Sequence, residues 1–530
     1  MAGEENLATL VAALRNNATG PVAEERLWDI FRRVLQPVAL INLLSETLRV
    51  PQADVKMLLD DHGFEDLVSQ AELITYESSH GDGTKAPVQV SQAPAESPFP
   101  DLFSIEFSPT PHTALEISAG VAGLYEKLVA VGRASIEGDP FLALYRSDVL
   151  DYRERFMATD AQEIAKYLER NFEGGTPKYL INSGIGANEQ FNHLAARLSN
   201  LRPDKRCTWL VMNSPRQLTK LPADASVENT LFMEFSRSGK TEETVKIHEY
   251  TSREAKRIVF ANSGPLREIG KRDGNLILDL PDEVSGRFGR NKTPILLAPM
   301  FVCGLDTKAF WQDIAAAIEA FDVTSESSLA MVIARFICLH QLAHDINHIY
   351  VGCNDDGYLM AVDELTQYWN EGVNKVNSLG KRNDIMMSRY LGLPRDSHMT
   401  LEGVLANGAT KMGLFVLRGY APAANLHPLV LEEIDAIDPN HAGLRFGHEE
   451  CILAEANYRR FCEKMPAIKI VLHGGPTLRH AAIISQLWAD LTYCYSRLKS
   501  IDPGSNPEVR FVRDRSAKLL AEGAAEQRRA

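Results

Sequence analysis

A hydroxyl-rich turn between an apolar strand and a helix is the part of this sequence best suited to hold a small anion. The segment reads Phe232-Met-Glu-Phe-Ser-Arg-Ser-Gly-Lys-Thr-Glu-Glu-Thr244. It offers the hydroxyls of Ser236, Ser238 and Thr241 and the positive charge of Lys240, and its glycine permits close backbone approach. The first amides of the following helix point at the same place with the positive end of the helix dipole. A serine-capped helix that binds nothing is the simpler interpretation, because serine is a frequent cap.

A second turn of the same kind favours the anion site over the simple cap. The segment Tyr179-Leu-Ile-Asn-Ser-Gly-Ile-Gly-Ala-Asn188 also runs from a strand through a glycine-rich turn into a helix. Both turns lie within one alternating β/α stretch, and sheets of that kind bind ligands beyond the carboxyl ends of their strands.

The balance of charge argues for a small anionic ligand and against nucleic acid. The chain of 530 residues has 56 Lys plus Arg against 70 Asp plus Glu, which gives a net charge of −14. Such an acidic chain is not expected to bind nucleic acid broadly, although a local basic pocket is still allowed. The hydrophobic content of 45% is ordinary for a globular protein with a large core.

The cysteines and the first residues of the chain indicate the cytoplasm. The seven cysteines contain no CxxC pair, which suits buried thiols in a reducing compartment and neither a disulfide framework nor a zinc ribbon. The first residues, Met-Ala-Gly-Glu-Glu-Asn, lack the basic start and apolar core of a signal peptide, and no apolar run reaches membrane-spanning length. We therefore expect a cytoplasmic protein without a membrane partner.

Periodicity and composition divide the chain into four segments. Residues 1–75 have helical periodicity and predict a small all-helical unit. Residues 76–102 are rich in Pro, Gly, Ser, Gln and Ala and predict a flexible linker. Residues 103–325 and 326–530 are expected to form two lobes, the first with leading helices and the second with C-terminal helices. A helix-turn-helix over residues 40–67 is disfavoured, because the segment that would face DNA is acidic.

The two lobes alternate predicted strands and helices. In the first, helices to about residue 176 precede strands at 178–182, 207–212, 230–235, 257–261 and 275–279. A long helical stretch over about 308–376 then precedes strands near 413–418 and 467–472. This alternation predicts an α/β protein with two doubly wound parallel sheets covered by helices on both faces.

Three histidines recur at four-residue steps in the long helical stretch. His340, His344 and His348 would lie along one helix face, and the spacing of the first two suits a metal site. No HExxH motif is present, because Gln341-Leu-Ala separates the first two. A solvated or interface stripe of histidines is the favoured interpretation, and we expect no metal and no other cofactor.

Several short motifs, over roughly residues 103 to 521, resemble those of the phosphoglucose isomerase family in order and spacing. The family's Gly-Ile-Gly-Gly-Ser loop resembles Gly184-Ile-Gly-Ala-Asn188, and its Ser-Lys-Ser-Gly-Thr-Thr phosphate loop resembles Ser236-Arg-Ser-Gly-Lys-Thr241. Its Gly-Gly-Arg-Tyr motif is similar to Ser285-Gly-Arg-Phe288. Gly-Glu-Ser-x-Gly-Lys is similar to Asn370-Glu-Gly-Val-Asn-Lys375, and Thr-Asp-x-His to Arg395-Asp-Ser-His398. The resemblance implies two sugar-isomerase (SIS) lobes and a homodimer.

The resemblance also implies catalytic roles. An aldose–ketose isomerase opens a sugar ring, moves a proton between carbons 1 and 2, and stabilises the enediolate formed between them. Glu371 stands in the position of the family's base, and Arg287 in that of the cation beside the enediolate. His398, which Asp396 could orient, stands where the family's histidine assists ring opening from the neighbouring subunit. Alone, these residues would read as a solvated glutamate, a structural salt bridge and a structural histidine.

Sequence and resemblance together give the residues expected to bind the substrate: Gly186, Asn188, Ser236, Arg237, Ser238, Lys240 and Thr241. Two of these positions depart from the family, because Asn188 replaces the serine of its glycine-rich loop and Lys240 replaces a hydroxyl of its phosphate loop. A third departure is C-terminal, where Pro507-Glu-Val-Arg-Phe-Val-Arg513 aligns with Pro-Gly-Val-Glu-x-x-Lys. The expected catalytic lysine is therefore Arg513, a poor proton donor that can still hold a ring oxygen or an anion.

The sequence thus predicts an isomerase that interconverts glucose 6-phosphate and fructose 6-phosphate or a close anionic analogue, such as a hexose with a sulfonate or carboxylate at carbon 6. The three departures indicate a retuned pocket or an enzyme that has lost its activity. The alternative is a non-catalytic sugar-phosphate sensor whose helical unit contacts a partner. Intact Glu371, Arg287 and His398 favour the enzyme, whereas Arg513 and Asn188 suit a sensor or a changed specificity.

Overall fold

The computed structural model describes residues 88–90, 96–108, 115–117, 119–184, 187–281, 286–377, 382–389, 410–420, 444–445 and 447–504, with the single positions 44, 55, 404, 515 and 519. Gly186, Asp396, His398 and Arg513 of the predicted site lie outside these residues, as does nearly all of the predicted helical unit over residues 1–75. Leu44 and Val55 of that unit are helical and buried.

The strands of the described residues are short and mostly apolar, as buried strands are. They are β1 (Val88–Val90), β2 (Phe103–Ser108), β3 (Leu115–Ile117), β4 (Tyr179–Ser183), β5 (Thr208–Met212), β6 (Thr230–Phe235), β7 (Lys256–Phe260), β8 (Leu276–Leu278), β9 (His348–Cys353), β10 (Met386–Arg389), β11 (Lys411–Arg418) and β12 (Ala467–Leu472).

Helices cover both sheets and fill the space between them. They are α1 (Ala119–Ile136), α2 (Pro140–Arg146), α3 (Val149–Ala158), α4 (Asp160–Asn171), α5 (Ala187–Asn200), α6 (Glu242–Tyr250), α7 (Gly264–Arg272), α8 (Pro294–Val302), α9 (Thr307–Ala320), α10 (Leu329–His344), α11 (Leu359–Val373), α12 (His448–Cys462) and α13 (Leu478–Leu498). Short 3-10 helices span Glu173–Gly175, Pro215–Lys220 and Gly286–Lys292.

The first sheet has the strand order β5-β4-β6-β7-β8, with all neighbours parallel. β4 and β6 are buried along their whole length, as expected for parallel strands covered on both faces. The order reverses between β4 and β6, and a ligand crevice forms at such a switch point beyond the carboxyl ends of the strands. Both predicted anion-binding turns follow these two strands.

The second sheet repeats this order in β10-β9-β11-β12 and adds β2 at its edge. The first four strands are parallel, whereas β2 runs antiparallel to β12 with Phe103 opposite Leu472. Two sheets with one winding order confirm the predicted α/β class with two doubly wound lobes.

Three stretches differ from the sequence predictions. Phe103–Ser108 is a strand of the second sheet, although the sequence placed it among helices leading the first lobe. Val88–Val90, inside the predicted linker, pairs with Leu115–Ile117. His348–Cys353 interrupts the predicted helical stretch over 308–376. Each strand is short and is stabilised by a partner remote in sequence, so local periodicity does not identify it.

The helix α13 forms the centre of the core. Almost all of its residues are buried, and it packs against α1, α9, α10 and α11. The indole of Trp488 donates to the main-chain carbonyl of Ala361 at 3.0 Å, which ties α13 to α11. Within the described ranges, we find no helix with both the length and the apolar character needed to cross a membrane.

Candidate active site

The predicted phosphate loop, between β6 and α6, has a backbone that requires glycine. Gly239 has a φ of 61°, and a Cβ there would lie 1.9 Å from the carbonyl oxygen of Ser263. Gly264 makes the reciprocal contact, because its φ is 79° and a Cβ would lie 2.2 Å from the carbonyl oxygen of Ser238. The loop therefore packs backbone to backbone against the start of α7, which fixes its shape.

Two hydroxyl groups of the loop bond to each other, and two other polar side chains of the loop are exposed to solvent. The hydroxyls of Ser236 and Thr241 are 2.7 Å apart, and the Thr241 amide donates to the Ser236 Oγ at 3.2 Å. Ser236 is buried, whereas Ser238 and Lys240 are exposed. The Ser236–Thr241 pair thus shapes the loop, and Ser238 and Lys240 are the groups that an incoming anion can reach.

Charges of both signs surround this loop. Arg237 is half-buried, and its main-chain carbonyl accepts a hydrogen bond from the Asn262 amide at 3.0 Å. Glu242 and Glu243 are exposed in the first turn of α6. Because these carboxylates lie at the positive end of the helix dipole, a bound anion would share that end with them. Lys240, which is exposed, carries a positive charge next to these two carboxylates in the sequence.

The segment that leads into the glycine-rich turn lies beside the end of β6 at the switch point of the first sheet. β4 ends at Ser183, and a Cβ on Gly184 would lie 3.6 Å from the Cβ of Phe235, the last residue of β6. Asn188 lies in the first turn of α5, which begins at Ala187, and not in the turn itself. The starts of the two turns, at Gly184 and after Phe235, therefore lie next to each other, as ligand binding at a switch point requires.

The guanidinium of Arg287 holds the carboxylate of Glu371. Arg287 lies on the 3-10 helix Gly286–Lys292 after the first sheet, and Glu371 lies in the last turn of α11 in the second lobe. The Arg287 Nη1 donates to the Glu371 Oε2 at 2.9 Å. The Arg287 Nη2 donates to the main-chain carbonyls of Glu371 and Pro503, both at 2.7 Å. Burial lowers the pKa of Arg287, and the Glu371 charge opposes that effect.

Glu371 is oriented by donors on both of its carboxylate oxygens. The amide of Gln367, one turn earlier in α11, donates to the Glu371 Oε1 at 2.9 Å. The Glu371 side chain is 34% exposed, whereas that of Arg287 is only 4% exposed. A fixed carboxylate that remains open to solvent, beside a buried cation, can exchange a proton with a bound molecule.

A buried chain of hydrogen bonds holds the main chain of Arg287 in place. The Tyr368 hydroxyl donates to the Arg287 main-chain carbonyl at 2.6 Å and accepts from the Arg290 Nη1 at 2.7 Å. Arg290 forms an ion pair with the buried Glu364, which also accepts from the Ser485 hydroxyl. Burial raises the pKa of Tyr368, and burial also raises the pKa of Glu364 against the opposing charge of Arg290.

Lys375 is a second cation at this site. Its ammonium donates to the main-chain carbonyls of Asp502 and Pro503, both at 3.1 Å, so it shares the Pro503 oxygen with Arg287. Burial, and then the charge of Arg287, lower the pKa of Lys375 to about 8. This lysine therefore titrates within an accessible pH range.

The structure brings together Arg287 with Glu371, and Ser236 with Thr241. Gln367, Tyr368 and Lys375 were not predicted as site residues. Gln367 has a sequence signal, because residues four apart on a helix face each other. Lys375 belongs to the quoted Asn370–Lys375 motif, but only its burial beside Arg287 reveals its altered pKa.

The histidine stripe is broken. His340 and His344 end α10 with ring centroids 5.5 Å apart, whereas His348 begins β9, so the prediction of one helical stripe is wrong. Burial lowers the pKa of His340 to about 3. Among the residues that the structure describes, we find no group of three or more His, Cys, Asp or Glu placed to hold a metal ion.

Two doubly wound lobes, with the starts of two turns adjacent at one switch point and an arginine–carboxylate pair between the lobes, define an α/β fold with a candidate ligand site. No family model matches the chain. The chain is 26% identical over 265 residues to the glucose-6-phosphate isomerase of Thermus thermophilus, which covers 47% of this chain and 61% of that enzyme. It is 27% identical over 157 residues to the glucose-6-phosphate isomerase of Clostridioides difficile, covering 28% of this chain and 33% of that enzyme. The chain thus matches less than two thirds of the length of these relatives.

Solved structures share the fold over more of the chain. A hypothetical protein from Thermus thermophilus has a TM-score of 0.59 at 19% identity, covering 76% of this chain and 95% of that one. A glucose-6-phosphate isomerase from Chlamydia trachomatis has a TM-score of 0.56 at 13% identity, covering 87% of this chain and 96% of that one. The predicted resemblance to phosphoglucose isomerases is confirmed, and these matches are consistent with a divergent member of that family.

Proposed function

We propose that this protein is an aldose–ketose isomerase of the phosphoglucose isomerase type, which interconverts glucose 6-phosphate and fructose 6-phosphate or a close anionic hexose analogue. The hydrogen bond of 2.9 Å from Arg287 to the carboxylate of Glu371 supports this proposal most directly. It places a carboxylate that solvent can reach beside a cation that keeps its charge at any working pH. Proton transfer next to a carbonyl needs both groups.

The proposed reaction uses Glu371 as a shuttle for one proton. In the direction from aldose to ketose, the carboxylate takes the proton from carbon 2, and the electrons of that C–H bond form the double bond between carbons 1 and 2. The aldehyde oxygen becomes the enediolate oxygen, which Arg287 stabilises. The carboxylic acid then returns its proton to carbon 1, while the hydroxyl proton moves from oxygen 2 to oxygen 1, which gives the ketose.

The anionic end of the substrate is proposed to bind at the phosphate loop. Ser238 and Lys240 are exposed there, and the loop backbone is fixed against α7. Gly186, Asn188 and the other predicted loop residues would complete this subsite. His398 would assist ring opening across a homodimer interface, and Arg513 would hold a ring oxygen or an anion; these assignments rest on the sequence motifs.

The second candidate function is a sugar-phosphate sensor that binds without turnover. The identities of Asn188 and Arg513, which depart from the family's serine and lysine, suit this alternative as well as a changed specificity. The direct test is to assay the purified protein by NMR against hexoses that carry phosphate, sulfonate or carboxylate at carbon 6. Conversion of one of them between its aldose and ketose forms, followed through the NMR signals of both sugars, would support the isomerase. Saturable binding of a hexose phosphate without conversion between aldose and ketose would support the sensor.

A further inference from the structure

Two buried thiols meet in the first lobe. The Sγ atoms of Cys207 and Cys303 are 3.1 Å apart, although the residues are separated by 96 positions in the sequence. This is about 1 Å more than the length of an S–S bond, which is ~2.05 Å. The two residues are 3% and 2% exposed, so solvent does not separate them.

The segments on either side of the two thiols also fit closely. Cys207 directly precedes β5, the edge strand of the first sheet, and Cys303 caps the C-terminal end of α8. The next residue, Gly304, has a φ of 66°, and a Cβ there would lie 2.3 Å from the Nε of Arg206. The two chain segments therefore lie close together at the adjacent residues Arg206 and Gly304 as well as at the sulfur atoms.

We infer that Cys207 and Cys303 form an intramolecular disulfide when the protein meets a peroxide. The sulfur of one residue, as thiolate, attacks a peroxide oxygen and becomes a sulfenic acid, with release of water after proton transfer. The second sulfur attacks the sulfenic sulfur, which forms the S–S bond and releases a second water. Two thiol hydrogens and two electrons pass to hydrogen peroxide in total.

Burial governs the rate of this reaction. Burial, and then the neighbouring Cys207, raise the pKa of Cys303 well above its ordinary value. Because the thiolate is the reactive form, oxidation of the folded protein is slow, and reduction of the buried bond by external thiols is slow as well. In a reducing compartment the two residues remain thiols.

Other cysteines of the described residues have different neighbours. The Cys353 thiol donates to the Asp355 carbonyl at 3.3 Å, and the Cys451 thiol donates to the Arg418 carbonyl at 3.5 Å.

The pair at 207 and 303 also encloses a long loop, residues 208–302, which contains the phosphate loop and Arg287. Cross-linking so long a loop reduces the freedom of the unfolded chain considerably.

The test is oxidation of the full chain with hydrogen peroxide, followed by non-reducing peptide mapping. We expect a cross-linked peptide containing Cys207 and Cys303, two hydrogens lighter than the sum of its parts. Thiol titration after denaturation should fall from the seven cysteines of the sequence to five, because two are consumed. The midpoint of thermal unfolding should rise by about 5 °C or more.

Matched variants identify the pair. Cys207→Ala and Cys303→Ala should each abolish the cross-linked peptide and the shift in unfolding midpoint, whereas Cys451→Ala should retain both. The inference is overturned if the oxidised wild-type protein has a different cysteine pairing. It is equally overturned if peroxide oxidises Cys451 while Cys207 and Cys303 stay reduced. The wild-type map decides the question even if an alanine variant fails to fold.

Discussion

Arg287 and Glu371 are joined twice, through the carboxylate at 2.9 Å and through the main-chain carbonyl at 2.7 Å. The second bond holds the guanidinium in place even when the carboxylate moves or changes its protonation state. The same arginine nitrogen also binds the Pro503 carbonyl, so the segment after α13 contributes to its position. Arg287 can therefore stay fixed while Glu371 exchanges a proton, and the predictions below follow from this arrangement.

Replacing Glu371 by glutamine should remove the proposed base and preserve the shape of the site. Glutamine can still accept from Arg287 through its amide oxygen, so binding of substrate should change little. Isomerisation should slow by at least ~100-fold, the usual effect of losing a general base. The rate of aldose-to-ketose conversion, followed by NMR, measures this loss. Glu268→Gln, on the exposed face of α7, is the control, and wild-type turnover in Glu371→Gln would exclude Glu371 as the base.

The phosphate loop should determine affinity for the anion. Changing Ser238 and Lys240 together to alanine removes the two exposed polar groups of the loop and should raise KM strongly. Inhibition by inorganic phosphate or sulfate should weaken in parallel, because the same groups would bind these ions. Lys246→Ala is the control, since Lys246 is a partly exposed cation of α6 that pairs with Glu249. Unchanged inhibition by both anions would place the anion site elsewhere.

Tyr368 should position Arg287 without touching the substrate. Tyr368→Phe removes the hydroxyl that links Arg290 to the Arg287 carbonyl and should destabilise the fold by about 1–3 kcal/mol, because buried partners lose their hydrogen bonds. We also expect a lower kcat with little change in KM. Tyr458→Phe loses a bond to Glu106 away from this network and should affect stability alone. Equal kcat values for the two variants would show that Tyr368 is only structural.

Lys375 should make the stability of the folded protein rise with pH in the alkaline range. Its pKa falls from 10.5 to about 8 in the folded protein, mainly because of burial. Between these two values the unfolded chain binds more protons than the folded one, so this residue contributes a rise in stability with pH. Lys375→Met should lose that rise, measured as the free energy of unfolding from denaturant titrations at pH 7.5 to 10.5.

Catalytic activity should fall over the same pH range in which the contribution of Lys375 to stability rises. Above about pH 8 the site loses the positive charge of Lys375, so kcat/KM for an anionic sugar should decline there. The Lys375→Met variant should have lower activity at neutral pH and no decline attributable to this group. Identical alkaline limbs in the two proteins would show that Lys375 does not act on the reaction.

Arg513 tests whether the pocket is retuned or decayed. If its planar guanidinium holds an anion or a ring oxygen, Arg513→Lys should lose activity on the native substrate, because lysine cannot make the same paired hydrogen bonds. A clear gain in glucose 6-phosphate isomerisation would instead indicate a restored proton donor. Equal activity of the Arg, Lys and Ala proteins on every hexose would place residue 513 outside the active site. Steady-state kinetics on the panel of anionic hexoses measures all three outcomes.

The sequence by itself determined the features that depend on short stretches of chain. Apolar runs that end in hydroxyl- or glycine-rich turns predicted β4 and β6 and the turns after them, because a buried parallel strand and a helix start both have local signatures. The resemblance in motif order also pointed to Glu371 and Arg287, whose roles as base and cation stay predictions. The order of the strands within each sheet and the adjacency of the two turn starts were not predicted.

Only the tertiary structure decided which remote segments meet. β2 pairs with β12, which lies far from it in sequence, and β9 interrupts a stretch with helical periodicity, because partners in a sheet are chosen by packing and burial. The Arg287–Glu371 contact spans 84 positions and the Cys207–Cys303 contact spans 96. No local pattern encodes such separations, and the low pKa of Lys375 arises only when burial brings it beside Arg287.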